Sequence, residues 1–260
     1  MAAGFTAGAR LMRASADVLR RDPGLLWFPA ISTCCLLVTA GFWIFEGAWL
    51  YAIHASALLF VPVVVLGLYS LVFVGVFFNV AVAGAVAQAL AGRGASVRDG
   101  INVAWSSLGG VAGWAGYSLF VSLALGLVQS VKGLRWAGKA AQVAWNFATF
   151  FVVPLIALEG LDAGDARRRS FELARADWQA ETGGLGALRV VLIVPGILFA
   201  VVARLLIDGH VHSRPAQVFL GIVLLAGFGL GVAVGVVRQV FAVSLYRRAA
   251  ATPESAALIA

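Results

Sequence analysis

No Asp, Glu, Lys or Arg lies between Glu46 and Arg93. Drawn as a helix, the part from Ala57 to Leu90 alone is about 50 Å long, against about 30 Å of hydrocarbon in a bilayer. In lipid a segment of this kind must satisfy its own backbone hydrogen bonds, so the run predicts a membrane-spanning helix. Its length requires it to tilt, to kink near Pro62, or to project from the membrane. The Ala-rich end, Ala81, Ala83, Ala85, Ala87, Ala89 and Ala91, suits close packing against other helices more than contact with lipid.

The same character recurs along the chain. Of 260 residues, 62% are hydrophobic and 12% charged, whereas soluble domains carry roughly 25% charged residues and 45–50% apolar ones. Apolar stretches fall at about Leu25–Trp49, Ala57–Leu90, Ala104–Val131, Ala141–Ile156, Leu188–Leu206 and Ala216–Val237. No polar interval between them is long enough to fold alone. The expected fold is all-α: a polytopic transmembrane helical bundle of about six spans, forming a single integral membrane domain over residues 1–260.

Two further segments have the pattern of helices lying in the interface. Near the start, Arg10, Arg13, Asp17, Arg20 and Arg21 share one face of residues 9–21. Asp22-Pro23-Gly24 then breaks that helix. The second, 162–179, sets Phe171, Ala174 and Trp178 against Arg168, Glu172 and Arg175, with Arg168 and Glu172 at a favourable spacing of four. Its basic run Arg167-Arg168-Arg169 has the chemistry to attract anionic lipid headgroups, each exposed charge contributing about 1 kcal/mol near such a surface. Because Asp162–Arg189 holds as many acids as bases, generic anchoring at the surface is the expectation.

Orientation follows from the basic residues. With six spans, one side collects Arg10 to Arg21, Arg93, Arg98, Arg167 to Arg175, Arg189, Arg238, Arg247 and Arg248, and the other only Lys132, Arg135, Lys139 and Arg214. Both termini are therefore expected in the cytoplasm, in an inner or plasma membrane. The formal charge of +7 is absorbed by this bias, so nucleic acid is not an expected partner. The N-terminal region lacks a cleavable signal pattern, which makes the first span a signal anchor. Lys132–Ala140 is the stretch where loop and span are hardest to separate.

Few polar groups fall within the spans. Asn79, Asn146, Ser70 and Arg204 are the intramembrane candidates, and the two amides should face protein or a hydrated cavity because an unpaired amide in hydrocarbon is costly. Small-residue faces occur at Gly109, Gly113 and Gly116 and, over a longer stretch, at Gly227, Gly231 and Gly235, which suits close helix packing. Asp208, His210 and His212, with His54 on the same side, are chemically competent metal ligands. Their spacing matches no metal motif, so neither a metal nor another cofactor is expected. Cys34 and Cys35 are adjacent on a helix, which disfavours a disulfide framework.

Several ordered motifs carry a family resemblance: Arg21 to Pro29, Gly75-Val76-Phe77-Phe78-Asn79-Val80-Ala81, Ala144 to Pro154 around Trp145-Asn146, and Arg168-Arg169-Ser170-Phe171-Glu172. Together they resemble DUF6159, a prokaryotic family of polytopic membrane proteins of unknown function, over most of residues 15–245. The resemblance implies that Pro29, Asn79, Trp145, Asn146, Pro154 and Ser170 belong to a shared frame. A looser likeness is to the membrane domains of some glycerophosphodiester phosphodiesterases, without their catalytic barrel.

With no convergent acid, base, nucleophile or metal group, the expected role is non-enzymatic: a scaffold, an assembly component or a modulator of the bilayer. Its expected partners are membrane lipids and a second copy or another membrane protein. A transporter or channel for a small or lipid-like solute is the alternative. A membrane enzyme with an outer-side metal site comes third.

Overall fold

The computed structural model describes residues 22–176 and 235–247, all in helices and the turns between them. The chain divides into two compact units, one of Asp22–Ala176 with Ala242–Ala260, the other of Met1–Arg21 with Asp177–Phe241. Of the second, the described residues 235–241 are helical. The first unit holds the rest of the described residues.

A 3-10 turn at Pro23–Leu26 leads into α1 (Trp27–Ala52). Pro23 opens the turn and Pro29 falls in the first turn of α1, where a missing N–H breaks no helical bond. α1 closes on His54, whose φ of 55° is left-handed, with the Ala55 N–H donating to the Leu50 carbonyl. This is a Schellman closure, so the backbone at His54 serves the α1 terminus.

α2 (Ala57–Leu90) follows, uninterrupted through Pro62. It ends at Gly92, φ 75°, with the Arg93 N–H on the Gln88 carbonyl. α3 (Val97–Ser106) and α4 (Leu108–Ser130) are separated by Ser107, so the expected third stretch, Ala104–Val131, starts in the end of α3 and only α4 is long and apolar enough to span. Ser96 caps α3 by accepting from the Asp99 N–H at 3.4 Å, the role of a serine at that position.

The α4–α5 turn pivots on Gly133, φ 94°. α5 (Arg135–Ala148) starts immediately after it, which places Arg135 and Lys139 on a helix and reduces the loop expected over Lys132–Ala140 to a tight turn. Thr149–Phe151 interrupts the fourth apolar stretch, and α6 (Val152–Glu159) resumes it with Pro154 in its first turn. Gly160, φ 65°, ends α6. α7 (Ala163–Ala176) comes next, and a last helix, α8, occupies 235–247.

Four stretches are long and apolar enough to cross a membrane: Pro23–Ala52, Ala57–Leu90, Leu108–Ser130 and Arg135–Glu159. α2 is the centre of the bundle, packing against α1, α3, α4 and α6. Its two halves differ. Leu58, Val61, Val64, Val65, Leu66 and Leu68 are exposed, whereas Val80 to Ala87 are buried without interruption, on every side of the helix. The Ala-rich end thus packs against protein, as its composition requires.

Glycine makes that packing possible at specific points. A Cβ on Gly100 of α3 would lie 2.4 Å from the Ala81 carbonyl and 2.6 Å from Phe28 Cζ, and one on Gly84 2.8 Å from Val103. On α4 the tight approach is at Gly110, 2.6 Å from the Leu161 carbonyl. The expected face reads differently: Gly113 meets the Ala163 methyl at 3.1 Å, Gly116 makes ordinary contact with Tyr69, and Gly109 meets no described atom within 4 Å. Which glycine is used depends on where the neighbouring helix crosses, and at this end of α4 it crosses one residue beyond Gly109. Gly235 likewise meets no described atom within 4 Å; Gly227 and Gly231 lie outside the described residues.

Candidate functional site

Successive residues on a helix point about 100° apart, so a run of three arginines cannot act as one patch. On α7 the three side chains diverge. Arg167 donates from Nη1 to the Tyr117 hydroxyl at 2.6 Å, its guanidinium 4.8 Å from the centroid of that ring. Arg168 pairs with Asp165 at 3.4 Å, on the exposed side. Arg169 turns the other way and sets Nε 3.4 Å from Glu159 Oε2, both side chains mostly covered. The expected Arg168–Glu172 pair does not form, because Asp165, one turn earlier, takes Arg168.

The inner face of α7 is made of small residues. Ala166, Ser170 and Ala174 are buried, whereas Phe171 is 55% exposed. The expected apolar side therefore reads differently: Ala174 packs inward, Phe171 faces outward, and Trp178 lies outside the described residues. Ser170 holds α7 to the break in the fourth span, donating to the Ala148 carbonyl at 2.8 Å and accepting from the Phe151 N–H at 3.1 Å. Those are the backbone groups that the interruption at Thr149–Phe151 frees from the helix ladder.

Residues 164, 167, 168, 171 and 172 recur at helical spacing and form one stripe. That stripe, with Trp145, Ala148 and Thr149, walls an open depression of about 570 Å³, within the 300–1,000 Å³ typical of ligand sites. Trp145, which lines it, is backed by aromatic rings: it stacks on the buried Trp114 at 5.7 Å between centroids and lies 5.6 Å from Tyr117. Arg167 and Arg168 balance Asp165 and Glu172. Glu172 has no ion-pair partner among the described residues. The first turn of α7 is already capped, since Asp162 Oδ1 accepts from the Gly164 and Asp165 N–H groups at 2.9 Å each.

The intramembrane amides fall elsewhere. Asn146 accepts from Gln142 Nε2 at 3.0 Å, one turn back on the same helix, and is exposed. Its carbonyl oxygen is thus met within α5. Asn79 is also exposed and has an interaction partner. Ser70 accepts from Trp43 Nε1 at 2.7 Å, joining α2 to α1. Cys34 and Cys35 are free thiols on α1.

Among the described residues no group of three or more His, Cys, Asp or Glu could hold a metal ion. Asp208, His210, His212 and Arg204 lie outside the described residues. Sequence reasoning missed Tyr117, Asp165 and Glu159 as partners of the arginines. Tyr117 stands four residues after Gly113 on α4, a position that carries no sequence signal of an arginine partner.

The helices that make up the described residues, four stretches of them long and apolar enough to cross a bilayer, define a multi-span, all-helical membrane protein. Residues 59–255 match the model of DUF6159, a family of unknown function, and the chain belongs to it. The motif around Pro29 precedes the matched residues, while Asn79, Trp145, Asn146, Pro154 and Ser170 fall within them. No curated protein and no solved structure matches the chain.

Proposed function

We propose that the protein is a non-enzymatic structural component of the membrane, working by helix packing and by contact with lipid. The observation that carries this reading is the division of α2, the helix on which α1, α3, α4 and α6 pack: one half offers apolar side chains outward, and Val80 to Ala87 in the other are buried without interruption. In this reading the chain is one membrane domain of six spans, the last two at about Leu188–Leu206 and Ala216–Val237, with both termini in the cytoplasm. α7 lies at the boundary of hydrocarbon and headgroups, its small residues inward and its charges outward. The outward faces of α1 and α4, with Phe42, Phe45, Phe120 and Leu127 exposed, meet acyl chains or the helices of a partner.

Photo-crosslinking from Leu66 and Leu127 in native membranes, with solute flux measured in reconstituted vesicles, tests the reading. The expected result is adducts with lipid or with a protein at fixed stoichiometry, and flux no greater than in protein-free vesicles. Saturable, solute-selective flux would overturn it in favour of a transporter.

A further inference from the structure

The depression beside α7 has two properties that act together, balanced charge and an unspent carboxylate. Arg167 uses one of its N–H groups on Tyr117 and keeps the others, and Arg168 is engaged by Asp165. Glu172 lines the same hollow with no ion-pair partner among the described residues. A dianionic or strongly anionic ligand would meet that carboxylate. A ligand with one phosphodiester and one ammonium group meets complementary charge at both ends. Trp145 and Phe171 supply the apolar wall, and the exposed apolar surface of α4 begins at Phe120, one turn past Tyr117.

We infer that this depression is a binding site for a zwitterionic phospholipid with a primary ammonium headgroup, its phosphodiester on Arg167 and its ammonium on Glu172. The glycerol and the upper acyl chains rest on Trp145 and Phe171. Arginine suits the first role because its planar fork presents several donors to phosphate oxygens. The inference rests on the reading of α7 as a helix at the lipid boundary.

Native mass spectrometry of the purified full chain, titrated with phosphatidylethanolamine or phosphatidylglycerol, tests it. Phosphatidylethanolamine should bind about tenfold more tightly, and Arg167→Gln should weaken it by about tenfold, the loss of one charge-assisted contact. Glu172→Lys, a change on an exposed side chain, should invert the order and favour phosphatidylglycerol. An inverted preference cannot come from a misfolded protein. Equal binding of the two lipids with neither variant altering it, which marks a lipid annulus only, overturns the site, as does a wild-type preference for phosphatidylglycerol. Either failure leaves the flux result untouched, so the loss of this site and the loss of the structural reading are told apart.

Discussion

Tyr246 donates its phenolic hydrogen to the Glu159 carboxylate, joining residues 87 apart in sequence. The same carboxylate pairs with Arg169, so α6, α7 and the end of α8 converge on one acid. Arg247, the next residue, donates to the Ala87 carbonyl at 2.9 Å, placing a cation at the C-terminal end of α2, where the helix dipole favours it. A hydrogen bond to a charged group contributes about 1.5–3 kcal/mol. Tyr246→Phe should therefore lower the thermal unfolding midpoint in detergent while leaving the helical circular dichroism intact.

The same contact sets a pH dependence. Burial, then the hydrogen bond and the negative charge of Glu159, push the Tyr246 phenol well above the usual tyrosine range, with Arg169 opposing. A group whose pKa is raised on folding contributes stability that is complete below its unfolded value, near 10, and is lost as pH climbs toward its folded value. Wild-type stability should accordingly decline in alkali above about pH 10. Tyr246→Phe should remove the part of that decline owed to this phenol, as thermal melts at stepped pH would read.

Two glycine substitutions should separate. Gly100→Ala drives a methyl against the Ala81 carbonyl and Phe28, and overpacking of this kind costs about 1–3 kcal/mol. Gly109→Ala meets no described atom and should be neutral or stabilising, by up to about 1 kcal/mol, through helix propensity. Melting midpoints of the two variants, measured side by side, check the contrast.

Ser170→Ala strands the Phe151 N–H at the interruption of the fourth span. An unsatisfied buried donor costs about 1–3 kcal/mol, and amide exchange around 149–151 should rise with the fall in stability. Ser170→Thr keeps the hydroxyl, and on that count should retain protection there if the added methyl is accommodated.

Four spans were legible because partition into lipid depends on the summed character of a run, and α2 follows the apolar segment Ala57–Leu90 residue for residue; the expected span Leu188–Leu206 and all but the end of Ala216–Val237 lie outside the described residues. The breaks at Ser107 and Thr149–Phe151 were not legible. Polar residues do fall at both, Ser106-Ser107 and Thr149, but the summed apolar character of each stretch averages over them, and the second break is held by Ser170, a residue outside the span. The arginine run was legible as chemistry and illegible as geometry. Its three directions are fixed by helix rotation, but Tyr117, Asp165 and Glu159 become neighbours only when α4, α6 and α7 meet. At Asn146 an amide in an apolar stretch implies a partner, and one bond to its oxygen comes from Gln142 in the same helix.

The sealed half of α2 has a consequence for how the protein is made. Val80 to Ala87 leave the ribosome before α3, α4 and α6, three of the four helices that pack on α2, and α6 ends only at Glu159. Until that point is synthesised, a seam of alanine, valine and glycine stands uncovered. A nascent chain halted short of it would leave those small apolar residues without the neighbours they have in the finished fold.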